Sequence, residues 1–119
     1  MRDYSLLEFV IPHANLRKGK NRLDVIIHNN GEEILRNIIL LLSSIDENNI
    51  VVEKREQFVH ALVPGKEISV GFQVSMKDSG SVFLAVTGFG NADDYFSTKS
   101  LPMKLVVEEL PAEDIWAAL

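Results

Sequence analysis

The chain has no cysteine among its 119 residues. That excludes disulfide frameworks, thiolate metal sites and cysteine nucleophiles. Its three histidines, His13, His28 and His60, stand on separate segments, with none of the H-x-x-x-H or H-E-x-x-H spacings that zinc chemistry uses. No long hydrophobic run occurs. The longest runs, Ile38–Leu42 among them, fall far short of the roughly 20 residues a membrane helix needs. Positive charge is also scarce: 12 Lys and Arg against 17 Asp and Glu give a net charge of −5. Nucleic acid rewards dense basic patches, and the one basic cluster, Arg17-Lys18-Gly19-Lys20, reads as a solvated turn.

The N-terminal stretch carries acids and a proline within its apolar residues, so it is not a signal peptide. A complete chain of this kind is expected in the cytoplasm, and one cut from a secreted or surface protein outside it. The residues ask for no cofactor.

What is present is ordinary globular composition, 46% hydrophobic and 24% charged, in a length that suits one domain with its own core. The clearest element is Ile68–Met76. Apolar residues at 68, 70, 72, 74 and 76 alternate with Ser69, Gly71, Gln73 and Ser75, a period of two that marks a half-buried strand. Pro64-Gly65 supplies the turn before it, and Lys77–Gly80 the turn after it. Val82, Leu84 and Val86 then alternate with Phe83, Ala85 and Thr87 in a central strand, which ends in Gly88-Phe89-Gly90-Asn91, a loop composition. Leu23, Val25 and Ile27 mark another strand, as do Leu101–Val107 and Tyr4–Val10. One more is expected within Val51–Leu62.

The stretch 25–42, VIIHNNGEEILRNIILLL, is ambiguous. Ile34, Leu35, Ile38, Leu41, Leu42 and Ile45 have helical spacing, and Asn30 with Glu33 imitates a capping box. The β-branched residues and the apolar solvent face such a helix would carry favour a strand from Asn37 to Ser43 instead. Asn29–Arg36 then becomes a loop passing between two sheets.

These motifs resemble a known family. Leu16-Arg17-Lys18-Gly19, then Leu23-x-Val25-x-Ile27-x-Asn29-Asn30-Gly31-Glu32, then Arg36-Asn37-Ile38, is similar to the CARDB domain. That is a cell-adhesion-related, seven-stranded immunoglobulin-like sandwich of bacteria and archaea. Leu62-x-Pro64-Gly65-x-Glu67 and Gly80-x-x-Phe83-x-Ala85-Val86 continue the likeness, which spans about residues 4–107. Asn91–Phe96 departs from the family pattern. The resemblance implies a binding or spacer domain and carries no catalytic residue across.

The expected architecture is therefore all-β: an immunoglobulin-like β-sandwich of about seven antiparallel strands over residues 1–109, with a short C-terminal helix in the tail 110–119. In the tail, Pro111 suits a first helical turn, and Ala112, Ile115, Trp116 and Leu119 share one face. So short a helix must dock on something, its own sandwich or a partner.

No nucleophile elbow, nucleotide fingerprint or calcium loop is present. The chain reads as non-enzymatic, a protein-interaction or assembly module that uses a sheet face, an edge strand or the tail. Its partner would be another protein or a second copy. The alternative is a carbohydrate-binding accessory domain using the loop Gly88–Phe96, and a third reading places a cation at Asp93-Asp94. Candidate contact residues are Ile115, Trp116, Leu119, Phe89, Tyr95 and Phe96. Ile26, Ile39, Leu41, Phe83, Phe89 and Val106 fall on outer faces, where they are either covered by loops and tail or form an interface.

Overall fold

Alternation of apolar and polar residues, carried through strand after strand, produces two stacked antiparallel sheets. The computed structural model describes residues 7–12 and 16–108, and among these it contains nine strands. They are β1 (Leu7–Val10), β2 (Gly19–Asn29), β3 (Leu35–Ser44), β4 (Ile50–Lys54), β5 (Glu56–Leu62), β6 (Glu67–Met76), β7 (Gly80–Phe89), β8 (Tyr95–Lys99) and β9 (Met103–Leu105). The first sheet has the order β1-β2-β6-β4. The second has the order β5-β3-β7-β8, with β9 pairing on β7 beyond β8. At every link from β2 to β7 the chain changes sheets.

The core lies between the sheets and is filled by the expected alternate residues. Leu23, Val25 and Ile27 of β2 meet Val70, Phe72, Val74 and Met76 of β6 along one wall. Ile38, Leu40 and Leu42 of β3 and Val82, Leu84 and Val86 of β7 form the other.

The ambiguous stretch resolves into strand, loop and strand. β2 runs to Asn29, the chain crosses between sheets, and β3 begins at Leu35. The helical spacing has a physical origin. The register of β3 against β7 shifts between Arg36 and Ile39, and Asn37 takes φ 49°, so the strand carries a bulge with one extra residue. Leu35 and Ile38, three apart, therefore face the core together.

Asn29 fixes this crossing. It is the one buried polar side chain among the described residues. Its Nδ2 donates to the carbonyls of Glu33 (2.8 Å) and Leu62 (2.9 Å), and its Oδ1 accepts from the Gly31 N–H (2.9 Å). Its backbone N–H donates to Lys66 O and its carbonyl accepts from Gly65 N–H, at the turn where Gly65 adopts φ 77°.

The strand count differs from seven for identifiable reasons. Val51–Leu62 holds two strands rather than one. β4 pairs with β6, slips register between Val52 and Lys54, and turns at Arg55 into β5 of the other sheet. Strands that turn corners between sheets use such bulges. Tyr95 and Phe96, expected in the loop Gly88–Phe96, begin β8. Gly88-Phe89, also expected as loop, is the end of β7. Gly88 sits opposite Phe96, whose ring occupies the space a Cβ would need: the added atom would lie 2.8 Å from Phe96 Cε1 and 3.1 Å from Arg36 O. A glycine inside a strand marks this kind of close approach. The C-terminal strand is shorter than expected, Met103–Leu105, and Val107 continues as a parallel bridge to Leu16. The helix expected in 110–119 lies outside the described residues, as do Tyr4–Leu6 of the first expected strand. The described helical structure is a 3₁₀ turn, Asn91–Asp93.

Substitutions at Gly88, Phe96 and Asn29 test this packing. Gly88→Ala is expected to destabilise the domain by about 1–3 kcal/mol through overpacking. Phe96→Leu in the same chain should recover part of that loss in a double-mutant cycle by urea unfolding. Asn29→Ala leaves two carbonyls and one N–H without their partner, at about 1–3 kcal/mol for each group left unsatisfied. Asn29→Asp, isosteric but with oxygen facing both carbonyls, should lower the urea midpoint further than Asn29→Ala. Equal midpoints would show that the amide donors are not what matters.

Candidate interaction surface

The two sheets turn different chemistry outward. On the first sheet most outer positions are polar, among them Glu8, Lys20, Arg22, Asp24, His28, Glu67, Ser69, Gln73, Ser75, Glu53 and Lys54, while Val10, Ile26 and Val51 are the apolar residues that also face outward there. Many of the polar ones satisfy one another: Arg22 Nε bonds Asp24 Oδ1 at 2.9 Å, Ser75 Oγ donates to Glu53, and Asn30 donates to Glu8. The pair Arg22–Asp24 is well exposed, so its contribution to stability is small.

The second sheet turns aromatic and large aliphatic residues outward among polar ones. Strand register places its outer residues in rows that run across the strands. One row is Phe58, Ile39, Thr87 and Ser97; the next is Glu56, Leu41, Ala85 and Lys99. Beyond these lie Ser43 beside Phe83 at one end, and Ala61, Arg36, Phe89 and Tyr95 at the other. Phe58 is 51% exposed, Tyr95 50% and Ile39 38%. His60 packs edge-on to Phe58 with ring centroids 5.1 Å apart, and Phe89 does the same with Tyr95 at 5.8 Å. Lys99 Nζ lies 5.7 Å above the Phe83 ring, within the range of a cation–π contact.

Of the six outward apolar residues singled out from the sequence, four share this face: Ile39, Leu41, Phe83 and Phe89. Ile26 belongs to the opposite sheet, and Val106 is exposed beyond β9. Phe58 and His60 are not among those six. Their signal is hidden in the sequence because the limits of β5 cannot be read through the Arg55 corner.

The loop aromatics separate. Phe89 and Tyr95 stand together, but Phe96 is fully buried against Gly88, so it presents no stacking face. That corrects its expected place beside Tyr95 on a sugar platform. The T-shaped Phe89–Tyr95 pair likewise offers no common flat face. Ile115, Trp116 and Leu119 lie outside the described residues. Asp93 is exposed and Asp94 half-buried at the 3₁₀ turn, where Ala92 and Asp93 take positive φ. Among the described residues no three His, Asp or Glu side chains gather where they could hold a metal ion. His28 and His60 sit on opposite sheets. No described helix is long and apolar enough to cross a membrane.

No protein-family model matches the chain, so the likeness to the CARDB domain rests on the quoted motifs. No curated protein matches it. Among solved structures, the secreted serine protease VesC from Vibrio cholerae aligns with a TM-score of 0.48 and 15% identity, over 94% of this chain and 25% of that one. The GAE domain of GGA2p from Saccharomyces cerevisiae aligns with a TM-score of 0.65 and 12% identity, over 88% of this chain and 94% of that domain. At that identity the likeness is one of fold: this chain is an immunoglobulin-like, two-sheet antiparallel β-sandwich similar to the GAE domain.

Proposed function

We propose that the chain is a non-catalytic protein-interaction module that binds through the outer face of its second sheet. The observation that supports this reading is the asymmetry between the two outer faces. One is mostly polar, with its apolar residues Val10, Ile26 and Val51 small or aliphatic and no aromatic ring among its outer positions. The other presents the exposed Phe58, Ile39 and Tyr95 and the half-buried Leu41, Phe83 and Phe89 on one surface, with Arg36, Lys99 and Glu56 around them. A contiguous apolar patch with a charged rim is how protein interfaces are built. Aromatics and Arg are the side chains that most often anchor them. The CARDB-like motifs, which imply a binding or spacer domain, point the same way. Ile115, Trp116 and Leu119 are a second contact of the same kind, read from sequence alone.

A photoreactive phenylalanine analogue tests the reading. Placed at position 58 of the full chain in cells, it should form covalent adducts with protein, and at Gln73, on the opposite outer face, it should not. Ile39→Asp in the same chain should cut the adducts at least tenfold. Equal yields from positions 58 and 73, or none from 58, would remove this surface as the interaction site.

A further inference from the structure

We infer that the occupant of this face is a second copy of the same chain, stacked sheet on sheet about a two-fold axis that runs along the strands. The inference rests on the interaction reading above and goes on to name the partner.

The order of residues along the rows points to this partner. In the row Phe58–Ile39–Thr87–Ser97, the two large residues lie on β5 and β3, and the two small ones on β7 and β8. The row Glu56–Leu41–Ala85–Lys99 repeats that step at its centre and adds opposite charges at its two ends. A two-fold axis along the strands, set between the stacked sheets and midway between β3 and β7, reverses each row onto itself. Phe58 then meets Ser97 of the second copy, Ile39 meets its Thr87, Leu41 meets its Ala85, and Glu56 meets its Lys99.

The end rows obey the same rule. Ser43 beside Phe83 places each phenyl ring over a serine. Ala61–Arg36–Phe89–Tyr95 places Tyr95 over an alanine and Phe89 against a guanidinium, a favourable cation–π pairing. Each of these four rows is thus complementary to its own reversal in size, in charge, or in both. An isologous interface requires that self-complementarity. Aligned stacking of two sheets, with an interaxial angle of about −30°, keeps the rows in register near the axis.

Within one chain Glu56 and Lys99 cannot serve each other, because they stand on opposite edges of the sheet, about 14 Å apart at ~4.8 Å per strand. The footprint is modest. Four strands across, and about 20 Å along β7 from Phe83 to Phe89, put it at the low end of specific interfaces, so the association is expected in the micromolar range.

The test is sedimentation velocity of the purified full chain from about 1 to 300 µM, concentrations chosen to bracket a micromolar dissociation constant. The wild type should pass from monomer to dimer. Glu56→Lys sets two ammonium groups against each other at both rims of the dimer, and Lys99→Glu sets two carboxylates there. Each should weaken association about tenfold, two rim pairs at the upper end of their usual strength. The double variant should recover wild-type affinity. An equimolar mixture of the two single variants should form heterodimers more tightly than either variant associates alone.

A chain that stays monomeric throughout, or a dimer indifferent to both swaps, overturns the inference. So does a monomer whose Trp116 emission shifts on Ile39→Asp, since its own tail would then cover the face. Adducts from position 58 to a different protein, with the chain itself monomeric, would leave the interaction reading standing and remove the second copy. Absence of any adduct would remove both.

Discussion

One buried amide holds the two sheets in their relation to each other. Asn29 ends β2, and its side chain bonds the crossing loop at Gly31 and Glu33 and the last residue of β5 at Leu62. Its backbone bonds the turn that leads into β6. Two passages between sheets, β2 to β3 and β5 to β6, are thereby tied at one point. A buried donor or acceptor left without a partner costs far more than an exposed one gains, so each partner is held at a defined distance. The register of β3, and with it the outward direction of Ile39 and Leu41, follows from where that loop delivers the chain.

Much of this is legible in the residues. The alternation in Ile68–Met76 and Val82–Val86 identifies two central strands and, except at the exposed Ile68, their buried faces. The loop from Asn29 to Arg36 reads as a passage between sheets, and it is one. Other features are not legible, because each depends on contacts between residues distant in sequence. The bulge at Asn37 inserts a three-residue step into a strand, and a three-residue step looks helical in one dimension. Gly88 looks like a loop residue until Phe96 is seen to fill the space above it. The corner at Arg55 merges two strands into one apparent run, which conceals Phe58. The outward position of Ile39, Leu41, Phe83 and Phe89 is visible from periodicity, but their gathering on one face requires knowing which strands are neighbours.

The two outer faces also show how a small sandwich can divide its surface. The first sheet has both its central strands lined mainly with polar residues facing water, and that pattern needs no further cover. On the second sheet, β3 and β7 add Ile39, Leu41, Phe83, Ala85 and Phe89 to their outer face beside polar residues, which approaches the pattern of strands that are covered on both sides. Charges at the row ends, Glu56 and Lys99, sit where they limit indiscriminate stacking, because only a partner with the matching order of charge avoids repulsion.

The lacing of the chain between the sheets has a kinetic consequence. From β2 to β7 no two consecutive strands pair with each other. The central pairings instead join distant residues, Leu23 with Phe72 and Leu42 with Leu84. Neither sheet can be nucleated by a local hairpin at its centre, and loop-closure entropy is lost before those contacts return anything. Such a topology folds on the slow side, in milliseconds to seconds. The same lacing works in reverse: one sheet cannot be peeled from the other without straining five consecutive connections between them, which favours opening of the two sheets together.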